Sequence, residues 1–135
     1  MDVYGIFGFP VAHSRSPAMH NRAFEALGLD ARYVPFTVAP EHLADAVLGA
    51  RALGIRGWNI TLPHKTAIMP WLDEIDSIAR AIGAANTVVR DGDLLRGTNT
   101  DAEGLTRALL EAGATLTGAR ATAIGAGGAA RASVV

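Results

Sequence analysis

The stretch Gly57-Trp58-Asn59-Ile60-Thr61-Leu62-Pro63-His64-Lys65 decides how this chain is read. With Ile55 before it, its first residues form a short apolar run that predicts a buried strand over 55–60. Side chains alternate along a strand, so Asn59 and Thr61 are expected on one face. Pro63 stops the strand and suits the first turn of a helix, which would place Lys65 inside that turn. There the ammonium meets the positive end of the helix dipole, against the local electrostatic rule. Such violations gather at functional sites, and an amine placed this way is a candidate general acid–base. By itself the stretch favours the plainer account, an exposed lysine at a loop–helix junction.

Apolar runs on either side supply partners for this strand. Residues 3–9 form a buried strand ending at Pro10, and 33–38, rich in β-branched and aromatic residues, form another. Between them, Ser16-Pro17 reads as an N-cap followed by proline at the first helical position, with Met19, Ala23, Ala26 and Leu27 as the inward stripe. Capping explains Ser16. Ser14 lies in the same loop, where turn chemistry is the simpler account and a polar pocket the other. Residues 41–53 predict a helix with Leu43, Ala46, Val47 and Ala50 inward, and 73–82 a capped helix with Ile75, Ile78, Ala79 and Ile82 inward. His64 has no second histidine or carboxylate at ligand spacing, so no metal site is expected.

Further on, Asp91-Gly92 between two β-type runs is a hairpin signal. Entry to the first strand and exit from its antiparallel partner lie at the same end, so Asn86 and Asp101 should meet at one sheet edge. Thr100 and Glu103 have capping-box spacing for a helix carrying Leu105, Ala108, Leu109 and Ala112 inward. Asp101 would then sit at its first position, where an acid favours the helix dipole, so that residue is explained structurally as well. Residues 120–124 read as a strand, followed by Gly125-Ala126-Gly127-Gly128-Ala129-Ala130-Arg131. Glycines between a strand and a helix N-terminus form the pattern of a dinucleotide phosphate loop. The pattern breaks off at Val135, before the second strand and the ribose-reading group that complete such a unit.

Composition narrows the function classes. The 135 residues are half hydrophobic, with 12 basic and 13 acidic residues and a formal charge of −1. Basic residues are scattered, which argues against nucleic acid as a partner. Without cysteine there are no disulfides or thiolate metal sites, and a reducing cytoplasm suits the chain. No apolar run is long enough to span a bilayer, and no signal peptide is expected.

Taken in order, five motifs resemble one family. They are His13-Ser14-Arg15-Ser16-Pro17 with His20-Asn21, Asn59 through Lys65, Ile82-Gly83-Ala84-Ala85-Asn86-Thr87, Gly97-Thr98-Asn99-Thr100-Asp101, and the glycine loop. Together they resemble the shikimate dehydrogenases along the whole chain. The resemblance implies an α/β fold with an open, mainly parallel sheet flanked by helices, followed here by an incomplete Rossmann unit. Residues 1–100 would be the substrate-binding domain, and 101–135 the connecting helix and start of the dinucleotide-binding domain.

The resemblance also implies reversible reduction of 3-dehydroshikimate to shikimate with NADPH, in aromatic amino-acid biosynthesis. Lys65 and Asp101 would be the catalytic pair. Ser14, Ser16, Asn59, Thr61, Lys65, Asn86 and Asp101 would hold the substrate, and Gly125, Ala126, Gly127, Gly128, Ala129 and Arg131 the cofactor. The serine pair favours shikimate over quinate. Ile60 and Ala85, where the family more often has valine, are expected to be neutral packing changes. The family's remaining cofactor strands, its NADP-selecting loop and a late helix returning to the substrate domain are expected beyond residue 135. Little turnover is therefore expected from these residues alone. Two other outcomes are a non-catalytic shikimate-binding module and a self-associating fragment, a homodimer in which strand 120–124 pairs with another copy.

Overall fold

The computed structural model describes residues 1–134. The first part of the chain forms β1 (Asp2–Gly8), α1 (Ser16–Ala26), β2 (Ala31–Thr37), α2 (Leu43–Ala52) and β3 (Gly57–Ile60). Then follow β4 (Glu74–Ile75), α3 (Ser77–Ile82), β5 (Thr87–Asp91), β6 (Leu94–Thr98), α4 (Asp101–Glu111) and α5 (Gly128–Ala132). The six strands make one sheet in the order β2-β1-β3-β5-β6-β4. β1 lies parallel to β2 and β3, and β4 parallel to β6, while β5 is antiparallel to β3 and β6. All strands but β5 therefore run one way, which is the open, mainly parallel sheet expected.

Central strands buried on both faces need apolar side chains on both. On one face Phe7, Trp58, Ile60, Val88 and Leu95 pack with Val47 of α2 and with Ile68. Trp58 stacks on Phe7 with ring centroids 5.2 Å apart. On the other face Ile6, Val11 and Tyr33 pack beneath α1, with Tyr4 and Phe24 alongside. The Asp91-Gly92 hairpin forms as expected, with Gly92 at φ 60°. Among the described residues no helix is long and apolar enough to cross a membrane.

Several local expectations give way to tertiary contacts. α1 turns His20, Asn21 and Phe24 toward the sheet, and Met19 and Leu27 are 62% and 71% exposed. The reason is the outer edge of β2. Asn21 Nδ2 donates to the Tyr33 carbonyl at 2.8 Å, and the Tyr33 N–H donates to Asn21 Oδ1 at 2.9 Å. One side-chain amide thus serves an edge residue as a neighbouring strand would. Ser16 is the first helical residue rather than a side-chain cap, and its N–H is 3.3 Å from Ser14 Oγ.

No helix begins at Pro63. His64 turns into the core, 1% exposed, with Nε2 2.7 Å from the Val38 carbonyl, and the Lys65 carbonyl accepts from the Ala85 N–H at 2.9 Å. The second of these bonds takes a carbonyl that a helix would use, and only turns and a short 3₁₀ segment, Met69–Trp71, follow. The dipole reasoning about Lys65 has no helix to act through.

The region 41–53 is a 3₁₀ turn, Pro40–His42, followed by α2, with Leu43, Val47 and Ala50 buried as expected. The region 73–82 splits into β4 and α3; Asp76, not Asp73, caps α3, accepting from the Ala79 N–H at 2.6 Å. Ile78 is 47% exposed rather than inward. Asp73 instead accepts from the Leu95 N–H at 2.7 Å and pairs with Arg51. The capping box of α4 does not form, because Thr100 Oγ1 is taken by Asn86, and α4 buries none of its residues. The run 120–124 forms no strand, since among the described residues no strand lies beside it to pair with its backbone. Val135, where the glycine pattern breaks off, lies outside the described residues.

Candidate active site

Strands running one way put their following loops at one sheet edge, the place where open α/β sheets offer a site. Ser14 and Ser16 follow β1, Thr61 and Lys65 follow β3, Asn86 precedes the reversed β5, and Asp101 follows β6. Lys65 Nζ donates to Asp101 Oδ2 at 2.6 Å, with the two side chains 15% and 28% exposed. Such a pair is sheltered enough to hold its geometry yet still reaches solvent. Asn86, 8% exposed, donates from Nδ2 to Asp101 Oδ1 at 2.8 Å and to Thr100 Oγ1 at 2.9 Å. The Asp101 N–H is held by Asn99 Oδ1 at 2.9 Å, and buried Asn99 donates to the Ala84 carbonyl at 2.8 Å. The acid is therefore fixed at both its carboxylate and its backbone.

Asn59 lies behind this cluster. It donates from Nδ2 to Thr87 Oγ1 at 3.0 Å and accepts from the Tyr33 phenol at 2.6 Å. Tyr33, stacked on His20 with centroids 4.3 Å apart, has its pKa pushed up to about 12 by burial, with Ser16 and Asn59 pulling weakly the other way. Asn59 and Tyr33 border a hollow of about 350 Å³ closed by Phe24 and Gly57. Ser14 and Thr61 line a different one of about 250 Å³, with His13, Pro10 and Leu62. Asn59 and Thr61 thus serve two hollows rather than one common face. Gly8 admits Thr61 here, because a Cβ at Gly8 would collide with the Thr61 methyl.

The glycine loop leads into α5 as expected, with Gly127 at the helix start and no neighbour where its Cβ would lie. Gly125 (φ 128°) and the exposed Ala126 and Ala129 leave the loop's backbone open to a ligand. Gly128 differs: a Cβ there would lie 3.0 Å from Lys65 Cβ, so this glycine packs on the lysine stem. Arg131 Nε turns back to the Ala126 carbonyl at 3.3 Å. The loop fits a diphosphate in part; among the described residues there is no second strand to carry a ribose-reading group. No group of three or more His, Asp or Glu that could hold a metal ion occurs among the described residues.

Two participants escape a reading of the sequence. Tyr33 looks like any strand aromatic, and Thr87 like an ordinary strand opener, yet both bond the asparagines of the site. A usable signal exists for Thr87, which directly follows Asn86 where the chain enters β5. For Tyr33 there is none, because its partner lies 26 residues away.

Comparison with known proteins bears on the same residues. Residues 6–88 match the family described as the shikimate dehydrogenase substrate binding domain. The chain is 59% identical over 133 residues to the shikimate dehydrogenase (NADP(+)) of Geobacter metallireducens, covering 98% of this chain and 46% of that one. Among solved structures, shikimate dehydrogenase 1 of Peptoclostridium difficile superposes with a TM-score of 0.96 at 36% identity, covering 99% of this chain and 50% of that one. The Thermus thermophilus enzyme, in complex with NADP(H) and shikimate, superposes with a TM-score of 0.89 at 43% identity, covering 98% and 50%. The chain spans about half the length of the curated relatives it matches, 46–47% for the first two.

Proposed function

The chain belongs to the shikimate dehydrogenase substrate-binding domain family, and from that premise we propose that it is the substrate-holding half of an NADP-dependent shikimate dehydrogenase. The whole protein would interconvert 3-dehydroshikimate and shikimate in the cytoplasm; these residues alone would bind shikimate with little turnover. Residues 1–100 would form the substrate domain and 101–135 the connection to the cofactor domain. The observation that carries this reading is the 2.6 Å contact between Lys65 Nζ and Asp101 Oδ2, with Asn86 on the other carboxylate oxygen.

That geometry suits ketone reduction. A bound nicotinamide would supply the hydride for such a reduction, and the substrate's carbonyl oxygen would need a proton or a positive charge close by. Lys65 can give that proton or stabilise the developing negative charge, and Asp101 holds the amine in place. Ser14, Ser16, Thr61, Asn59 and Asn86 would orient the carboxylate and hydroxyls of the acid. Gly125, Ala126, Gly127, Gly128, Ala129 and Arg131 would contribute to the NADP site, with Gly128 acting by letting α5 rest on Lys65.

Calorimetry should show shikimate binding to this chain more tightly than quinate, with negligible NADPH oxidation in the presence of 3-dehydroshikimate. Turnover at an ordinary enzyme's rate would refute the half-site reading. In the whole protein, Lys65→Met should cut turnover by ~10²-fold or more while weakening shikimate binding much less. Equal losses would make Lys65 a binding residue only. A second reading, self-association into a homodimer, draws on the unpaired 120–124 run, in which Ile124 is 97% exposed. Sedimentation that is independent of concentration would remove it.

A further inference from the structure

The hydrogen bonds behind the Lys65–Asp101 pair have a direction that follows link by link. Asn86 Oδ1 faces the Thr100 N–H at 3.1 Å, which can only donate, and its Nδ2 faces the Asp101 carboxylate at 2.8 Å, which accepts. Those neighbours leave the Asn86 amide one orientation. Its Oδ1 also takes the Thr87 hydroxyl proton at 2.8 Å. With that proton committed, the Thr87 oxygen can only accept, and Asn59 Nδ2 donates to it at 3.0 Å. The same Nδ2 lies 3.3 Å from the Asn86 carbonyl, another pure acceptor. Asn59 is therefore fixed too, with Oδ1 turned to the Tyr33 phenol at 2.6 Å, and Tyr33 has to donate.

We propose that Tyr33 is a positioning residue of this site: its phenol proton holds the Asn59 amide, which donates to the Thr87 hydroxyl bonded to Asn86, and so reinforces the Asn86 orientation that Thr100 and Asp101 set. Tyr33 itself is 4% exposed. If Asn59 turned over, its oxygen would face the Asn86 carbonyl and an already committed Thr87. The consequence for shikimate rests on the functional reading above; the coupling of the amides does not.

Phenylalanine at 33 would keep the ring stacked on His20 and remove the hydroxyl, with its bonds to Asn59 and Ser16. The chain has four asparagines and no glutamine, so its side-chain amide nitrogen spectrum contains only four proton pairs to follow. In Tyr33→Phe the Asn59 and Asn86 pairs should both move. The Asn99 pair, whose Nδ2 donates to the Ala84 carbonyl and which meets Asp101 only through its backbone N–H, should move less than either. Thr87→Val should move the Asn86 pair and Thr87→Ser restore it. An Asn86 pair unmoved in Tyr33→Phe overturns the proposal. If that variant does not fold, 3-fluorotyrosine in place of tyrosine puts a more acidic phenol in the same position. Both pairs should then move, and the proposal fails if either stays. Shikimate affinity in Tyr33→Phe should fall roughly tenfold, the worth of one hydrogen bond, and an unchanged affinity overturns the positioning role. If the unmodified chain binds no shikimate, the functional reading fails and the amide result still stands.

Discussion

The sheet half of the chain buries Ile68, Val88 and Leu95 to 0% exposure, whereas every residue from Glu103 to Gly127 is exposed. Local signals are of similar quality in both. α4 has acids in its first turn and an apolar stripe of Leu105 and Leu109, yet these remain 41% and 40% exposed beside an open hollow. The run 120–124 has strand composition and no strand neighbour. A pattern becomes packed structure only where a partner stands opposite it, since burial and backbone pairing, not propensity, supply most of the stability. The glycine loop and α5 touch the sheet half through Gly128 on the Lys65 stem, Arg131 beside Gly83, and Ala132 against Ile82 and Ala84.

Cavity formation is the strongest way to break this contrast. Leu95→Ala should destabilise the chain by about 2–5 kcal/mol, and Leu110→Ala, at a 54% exposed position, by about 0.5 kcal/mol or less. Urea midpoints of the two variants would decide; comparable losses would show that α4 belongs to the packed body.

A second, smaller effect concerns Tyr33 in the sheet half. Its phenol is neutral in folded and unfolded chains at neutral pH. As pH rises past the ordinary tyrosine value of 10.0, the unfolded chain loses that proton first, and the folded chain holds it until about 12. Stability should therefore fall with pH across that window, and the fall should be shallower in Tyr33→Phe. Urea midpoints at mildly and strongly alkaline pH test the sign, and parallel slopes for the two proteins would refute it.

The smallest effect should come from the tail. Removing residues after Gly113 should lower Tm by about 3 °C or less, because the loss is confined to the contacts of Gly128, Ala132 and the residues around them. A larger drop would erase the difference between the two halves. Nuclear magnetic resonance signals of Lys65 should shift even so, since its stem would lose Gly128.

Much of this architecture is legible in the chain itself. The hairpin at Asp91-Gly92, the strands around 3–9, 33–38 and 55–60, and the meeting of Asn86 with Asp101 at one edge all follow from period-two alternation and turn chemistry. The errors cluster where side chains bond backbone far along the chain. Asn21 on the edge of β2 rotated α1 away from its apolar stripe, and His64 is turned into the core onto Val38 where turns, not a helix, follow Pro63. Asn86 on Thr100 removed a capping box.

The strands around 3–9, 33–38 and 55–60, the Asp91-Gly92 hairpin and the meeting of Asn86 with Asp101 were determined by sequence alone. These depend on neighbours a few residues apart and on the regular reach of strands. Only the tertiary structure decided that Lys65 is presented by a loop, that Tyr33 and Thr87 support the site's amides, and that the glycine loop rests on the lysine stem. Each of those rests on a bond or contact between residues far apart in the chain, whose partner no local pattern specifies.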